Sequence, residues 1–187
     1  MFQDIAKKLQ TTGAIGVIPT DTVYGVVARA ADEQAVARLY KLKHRDHKPG
    51  TVIAATIDQL VELGIKRRYL TAVEQFWPGA VSVEIPHQVA YLSQGTGRQA
   101  FRIPDDTELL ELLKQTGPLQ TSSANQPGEA PATIVQEAQD YFGEDVDFYV
   151  DGGDLSNREP STIIRVIDDA IDVIRQGAVH INPDQVQ

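Results

Sequence analysis

Short apolar runs alternate with amphipathic segments along most of this chain. Eight runs rich in β-branched or aromatic residues are typical of strands. They lie at 14–18, 51–55, 80–85, 99–103, 119–122, 148–150, 162–166 and 171–174. Between them, apolar residues recur at the spacing of one helix face and predict helices. These segments cover 2–12, 33–42, 58–63, a stretch that begins at 71, the leucines at 109–113, and 133–142.

Polar residues predict where several of these helices begin. Asp32 is placed to cap the N-terminus of the second helix. Thr71 with Glu74, and Thr133 with Gln136, match the spacing of a capping box. The chain contains no repeat, low-complexity stretch or linker. Alternation of strands and helices without interruption predicts one α/β domain over residues 1–187.

Composition narrows the possible functions. Net charge is −9, from 17 Lys and Arg against 26 Asp and Glu, so a broad basic face for nucleic acid is not expected. Any contact with tRNA would be indirect, or weak and confined to a small patch. The chain has no Cys, which rules out disulfides and thiolate chemistry and fits a reducing cytoplasm. The N-terminus does not read as a signal peptide, and no apolar run approaches the roughly 20 residues of a membrane span. We therefore expect a cytoplasmic protein without a membrane partner.

One segment concentrates positive charge on this acidic chain. Within residues 41–48, here called the basic segment, lie Lys41, Lys43, Arg45 and Lys48. Such a cluster favours one compact anion, such as a nucleotide phosphate. It is equally typical of a helix end that gathers cations to complement the helix dipole. The segment alone does not separate the two interpretations.

Hydroxyl and amide side chains recur where predicted strands begin or end. They are Thr20, Thr22, Thr121, Ser122, Ser123, Asn125, Ser161 and Thr162. Open α/β sheets bind ligands at such strand ends. Each of these residues alone is more typical of a turn in which the side chain caps its own backbone. With no arrangement of His, Cys and carboxylate in view, the pattern favours binding and orientation of anions.

Two arginines, one inside a predicted strand and one at the end of another, extend this pattern. Arg102 lies between Phe101 and Ile103, so its side chain points to the face opposite theirs. It is either a charge on a solvated face or a partner for an anion. If it has no partner until an anion binds, removing it would stabilise the empty protein. Arg175 ends the last predicted strand.

Seven short motifs occur in a fixed order along the chain. They are Pro19–Gly25, Lys43-His44-Arg45, Trp77-Pro78-Gly79, Arg102-Ile103-Pro104, Thr121–Asn125, Ser161-Thr162 and Ile174–Gly177. Through these motifs the chain resembles the YrdC family over residues 5–178, specifically its short bacterial threonylcarbamoyl-AMP synthase (TsaC) type. The resemblance implies a twisted open mixed sheet flanked by helices, with a large concave ligand cavity.

The resemblance also implies a reaction. L-Threonine, bicarbonate and ATP would give threonylcarbamoyl-AMP and pyrophosphate, the first step in making N6-threonylcarbamoyladenosine in tRNA. A threonylcarbamoyl-transferase complex of the TsaD, TsaB and TsaE type would use the product. Mg²⁺ would arrive with ATP, and no metal ligand is expected from the protein.

Site residues are implied by the same motifs. Lys43 and Arg45 would be catalytic and would hold the triphosphate. The ATP site would comprise Lys43, Arg45, Lys48, Ser123, Asn125 and Arg175. The threonine site would comprise Thr20, Thr22, Tyr24, Arg102, Thr121 and Ser161. Within that site, Arg102 would hold the threonine carboxylate.

Some positions depart from the family pattern, and two other functions compete with the synthase. Asp46 follows Arg45 where Pro is usual, and Gly50 stands where Leu is usual. The sequence runs to Gln187, so the C-terminal domain of longer family members is not expected here. A paralogue that has lost the activity and binds RNA or ribosomes is the main alternative. A carbamoyl-transfer domain of the hydrogenase-maturation type would be expected to carry zinc-binding cysteines, which this chain lacks.

Overall fold

A single mixed sheet of nine strands forms the centre of the computed structural model, which describes residues 1–168 and 170–182. The strands are β1 Ile15–Ile18, β2 Gly25–Arg29, β3 Thr51–Ile53, β4 Val81–Pro86, β5 Arg98–Arg102, β6 Leu119–Ser123, β7 Phe148–Tyr149, β8 Thr162–Ile167 and β9 Ala170–Arg175. Their spatial order is β7-β1-β2-β6-β3-β5-β4-β8-β9. Among these described strands, three neighbouring pairs are parallel (β1 with β7, β3 with β5, β4 with β8) and the other five are antiparallel, so the predicted mixed sheet is confirmed.

Helices cover both faces of the sheet. They are α1 Ile5–Gln10, α2 Glu33–Leu42, α3 Ile57–Glu62, α4 Arg67–Thr71, α5 Ala90–Ser93, α6 Thr107–Thr116 and α7 Val135–Phe142. The predicted cap of α2 is confirmed, because the Asp32 carboxylate accepts a hydrogen bond from the Ala35 amide at 3.0 Å. Among the described residues, no helix combines the length and apolar character needed to cross a bilayer.

Two hydrophobic cores lie on opposite faces. The larger one packs α2 and α7 against β1, β2, β4 and β8, with Tyr24 and Phe101 among its largest buried side chains. The smaller one packs α1 and α6 against the other face, where Leu9 and Leu113 meet Val27. Because the smaller core covers only part of its face, the remainder of that face is free to form a site.

Some sequence predictions were wrong or incomplete. Strand β2 was not predicted, because its Val-Val-Ala run is buried on both sides and shows no alternation. Helix α5 has four residues, too few for a periodic pattern. Thr71 ends α4 rather than opening a helix, and Glu74 begins a short 3₁₀ turn. At α7, Thr133 bonds Glu137 instead of Gln136.

Candidate active site

The cavity of interest lies on the face of the sheet that also carries the smaller core. On β6, Leu119 packs in that core, whereas Thr121 and Ser123, further along the same face, line the cavity. On β3, Ile53 packs in the core and Thr51 lines the cavity. The cavity is therefore the polar continuation of a hydrophobic face, formed where the strand sequences change from aliphatic residues to hydroxyl residues.

Nine of the residues predicted for the site line this one cavity. They are Thr20, Thr22, Tyr24, Arg45, Arg102, Thr121, Ser123, Ser161 and Arg175. The cavity has a volume of about 220 Å³. Ligand pockets usually measure roughly 300–1,000 Å³, so a nucleotide would extend beyond this volume. The predicted large size of the cavity therefore stays a prediction.

Three guanidinium groups converge on the cavity, from the basic segment, β5 and β9. They belong to Arg45, Arg102 and Arg175. Burial lowers the pKa of Arg175, and the charges of Arg45 and Arg102 lower it further. Burial likewise lowers the pKa of Arg45. Arg175 is therefore held close to the other two cations, and an anion placed among the three would relieve this repulsion.

Lys43 lies behind the cavity wall instead of lining it. Its side chain is buried, and its Nζ donates to the Ser123 carbonyl at 2.7 Å, to the Asn125 side-chain oxygen at 3.0 Å and to the Asn125 carbonyl. Ser123 Oγ also donates to the Asn125 side-chain oxygen, at 2.7 Å. Burial, and to a smaller extent the charge of Arg45, lowers the pKa of Lys43 to about 8. Lys43 thus ties the basic segment to the end of β6, and its contacts are not those of a cation capping its own helix.

The rest of the basic segment follows a tight path along β6. Gly50 has no side chain at a point where an added Cβ would lie 2.1 Å from the Thr121 carbonyl oxygen. His44 and His47 have φ angles of 47° and 53°, which lie in the left-handed region that residues other than glycine seldom adopt. This path brings Arg45 to the cavity and leaves Lys48 exposed, outside the cavity lining.

The turn after β1 forms another wall of the cavity. Its hydroxyl groups both stabilise the turn and line the cavity. Thr20 Oγ1 donates to the Val23 carbonyl at 2.7 Å and lies 3.0 Å from Thr22 Oγ1. The interpretation of Thr20 as a turn-capping residue is therefore correct, and the same residue also lines the cavity. The Tyr24 hydroxyl donates to the Gly153 carbonyl at 2.9 Å and accepts from the Gly152 amide at 2.8 Å, which fixes the turn against the loop before β8.

Ser161 connects this loop to the far side of the cavity. Its hydroxyl lies 2.8 Å from the fully buried Ser82 hydroxyl on β4. Its carbonyl accepts from Arg175 Nη2 at 2.6 Å. Gly177 permits this contact, because a Cβ there would lie 2.1 Å from the Pro160 carbonyl oxygen.

Arg102 has a protein partner that the sequence did not reveal. Its Nη1 donates to both carboxylate oxygens of Asp21, and the two side chains are only 4% and 7% exposed. Phe101 packs in the larger core on the opposite face, as predicted from the alternation. The expectation of a buried cation without a partner is wrong, and so is that of a charge on a solvated face.

Three predicted residues do not line the cavity, and several lining residues were not predicted. Lys43, Lys48 and Asn125 lie outside the lining. Ser122, a candidate hydroxyl that was not assigned to either ligand, also lines the cavity, and the unpredicted lining residues are Val23, Gly25, Pro49, Gly50, Thr51, Ala100, Pro131, Pro160 and Ile163. Most of these contribute backbone or small apolar groups, which leave no recognisable signal in a single sequence. Asp21 could have been suspected, because it stands between two candidate hydroxyl residues.

An α/β domain that gathers three arginines and several hydroxyls around one cavity has the groups that enzymes use to bind and stabilise anions. The chain belongs to the Sua5/YciO/YrdC family, whose model, described as "Telomere recombination", matches residues 8–177. A relative from Mycobacterium leprae is 35% identical over 177 residues, which cover 90% of this chain and 80% of that protein. The threonylcarbamoyl-AMP synthase of Stutzerimonas stutzeri is 33% identical over 167 residues, covering 86% of this chain and 90% of that one.

Solved structures share the fold. The crystal structure of P. abyssi Sua5 complexed with L-threonine has a TM-score of 0.82 and 26% identity, and the match covers 94% of this chain. The chain spans 54% of the length of that protein. E. coli YciO matches with a TM-score of 0.81 at 21% identity, over 98% of this chain and 93% of that one, which supports the fold alone.

Proposed function

We propose that this protein is a threonylcarbamoyl-AMP synthase, which converts L-threonine, bicarbonate and ATP into threonylcarbamoyl-AMP and pyrophosphate. The observation that carries the proposal is the convergence of Arg45, Arg102 and Arg175 on one cavity with hydroxyl-rich walls. The names of its family relatives support the same activity.

The chemistry requires charge neutralisation more than covalent help from the protein. The threonine amine, having lost a proton, attacks the carbon of bicarbonate, and water leaves to give a carbamate. A carbamate oxygen then attacks the α-phosphorus of ATP, and pyrophosphate departs with the bonding electron pair. Every reactant in the second step is an anion, so positioned guanidinium groups lower its barrier by electrostatic stabilisation.

The positions of the lining residues support assigning each group to a different part of the substrates. Arg102 and the hydroxyls of Thr22 and Ser161 would hold threonine, with Arg102 on its carboxylate. Arg45 would bind the phosphates, and Arg175 would close on the nucleotide. Lys43 would act from behind the wall, by fixing Ser123 and Asn125 and by adding positive potential.

Mg²⁺ would enter with ATP and supply further neutralisation of the phosphates. Among the described residues that line the cavity there is no carboxylate and no His. No group of three or more His, Asp or Glu elsewhere in the described chain is arranged to hold a metal. These observations fit a metal ion held by the substrate's own phosphate oxygens, and the assignment stays a proposal.

One experiment tests the proposal directly. The purified protein is incubated with ATP, L-threonine and ¹⁴C-bicarbonate, and the labelled adenylate and pyrophosphate are both measured. We expect their formation to require all three substrates. Pyrophosphate release that is unchanged without threonine would reduce the protein to a generic ATPase and refute the proposal.

The alternative is a YrdC-fold protein without this activity that binds RNA or ribosomes. It would be favoured by inactivity in the same assay together with retention of RNA at physiological salt. Transfer of the product to tRNA by a complex of the TsaD, TsaB and TsaE type, and a cytoplasmic location, are further parts of the proposal.

A further inference from the structure

The contact between Asp21 and Arg102 fixes one arginine of the cavity before any ligand arrives. Arg102 lines the cavity, whereas Asp21 lies behind it and does not. The carboxylate engages a single guanidinium nitrogen, Nη1, with both of its oxygens. A guanidinium carries further N–H donors in a planar fork, so this arrangement leaves donors of Arg102 for a second carboxylate.

Asp21 is itself held firmly. It lies in the turn in which Thr20 Oγ1 donates to the Val23 carbonyl at 2.7 Å and accepts from the Thr22 amide at 3.2 Å. Arg158 Nη1 clamps the same turn by donating to the Thr20 carbonyl at 2.7 Å. Because the turn that carries the Asp21 carboxylate is fixed, the carboxylate limits the orientations open to the arginine that it contacts.

Asp21 also balances charge in the cavity wall. Arg45, Arg102 and Arg175 line one cavity, and the charges of Arg45 and Arg102 both lower the pKa of Arg175, so repulsion acts between Arg175 and each of the other two. Among the ion pairs of the described residues, Asp21 is the one acidic partner of any of these three. Without it, repulsion would favour orientations of Arg102 that point away from the other two.

We propose that Asp21 is a positioning residue that holds Arg102 in the orientation needed to receive the carboxylate of an amino acid substrate. The inference rests on the proposed function and assigns to Asp21 a role that concerns threonine and not ATP. Its effect is transmitted through Arg102, because Asp21 does not line the cavity.

The test compares two substitutions that remove one charge each from buried or half-buried ion pairs. Asp21→Asn keeps the shape of the side chain and removes the charge. We expect it to raise the KM for threonine about tenfold or more and to change the KM for ATP by less than about twofold. Glu84→Gln breaks the neighbouring ion pair with Arg165, outside the cavity, and serves as the matched control. It should leave both constants unchanged.

Other results would overturn the inference. A lower KM for threonine in Asp21→Asn would mean that Asp21 competes with the substrate for Arg102. Equal changes in the two constants, or none, would mean a purely structural role. If the Asn variant does not fold, Asp21→Glu retains the charge but displaces the guanidinium. It should then change the threonine KM about threefold or more, and an unchanged value would refute positioning.

A binding measurement separates this inference from the proposed function. Calorimetric titration of L-threonine into the wild-type protein and Asp21→Asn needs no turnover. A wild-type protein that makes the adenylate, together with equal threonine affinity in the two proteins, would refute the role of Asp21 alone. A wild-type protein that makes no adenylate would refute the proposed function, whereas threonine binding that is still lost in Asp21→Asn would support the positioning role.

Discussion

Lys43 is a buried ammonium group whose hydrogen-bond partners are neutral oxygens. In the part of the chain that the structure describes, its Nζ bonds oxygens of Ser123 and Asn125 and lies 5.6 Å from the centre of the Phe142 ring. Since no carboxylate neutralises it, its charge contributes fully to the positive potential behind the cavity wall. This arrangement accounts for a lysine next to an anion site that need not touch the anion.

The pKa of Lys43 predicts how ATP binding depends on pH. The ammonium is charged below about pH 8 and neutral above it. If its charge helps to bind ATP, the Kd should rise with pH, by about tenfold between pH 7 and pH 9 in the limit that only the charged form binds. Calorimetry with ATP from pH 7 to pH 9.5 measures this, and Lys43→Met should show a weak, flat profile. A flat profile in the wild-type protein would contradict a role for this charge.

Arg102 gives a second prediction at the same scale, revised by the presence of Asp21. Arg102→Leu leaves a buried carboxylate unpaired, which typically costs about 3–5 kcal/mol. We therefore expect a lower free energy of unfolding in urea, not the gain that a partnerless cation would have implied. Arg102→Lys should preserve more stability and still raise the threonine KM, because Lys lacks the planar fork.

A double substitution serves as the control for the stability loss expected in Arg102→Leu. Asp21→Asn combined with Arg102→Leu removes both charges and should recover part of the lost stability. Strictly additive losses in the single and double variants would show that the two side chains do not stabilise each other.

At the scale of elements, the sequence predicted most strands and helices but only some of their ends, such as the Asp32 cap of α2. Strands that alternate, such as β5 with Phe101 inward and Arg102 on the opposite face, were recognisable from the pattern. Strand β2 was not, because a central strand buried on both faces has no alternation to detect. The capping box predicted at Thr71 and Glu74 was wrong, because Thr71 ends α4. Ser and Thr occur at both ends of helices, so the spacing alone is a weak indication of a helix start.

The approach of the basic segment to β6 predicts the effect of one added methyl group. In Gly50→Ala, the new Cβ would collide with the Thr121 carbonyl oxygen at 2.1 Å. The segment must move away from β6, so we expect a stability loss of about 1–3 kcal/mol and reduced ATP affinity, because Arg45 moves with it. Gly25→Ala is the matched control, since its Cβ would lie 3.5 Å from the Ser122 carbonyl oxygen. Equal melting temperatures for the two variants would contradict the close approach.

At the scale of the whole molecule, the sequence motifs identified most of the cavity without showing how it is built. Thr121 and Ser161 could be proposed from their positions at strand ends, and both line it. The Asp21–Arg102 pair spans 81 positions, and Ser82 with Ser161 spans 79. Contacts at such separations depend on strand order, which a single sequence does not contain. This is why the partners of predicted residues were missed while the residues themselves were found.

The strand order also has a consequence for how the protein is made. Thr20 and Thr22 precede β2, near the start of the chain, whereas Arg175 ends β9, near its other end. While the residues beyond Ser161 are still inside the ribosome exit tunnel, the nascent chain can assemble the centre of the sheet. It cannot yet place the third guanidinium group, that of Arg175, in the cavity wall. Substrates that need all three arginines can therefore stabilise the protein only after Arg175 has left the tunnel, and the earlier part of the growing chain must remain folded without their help.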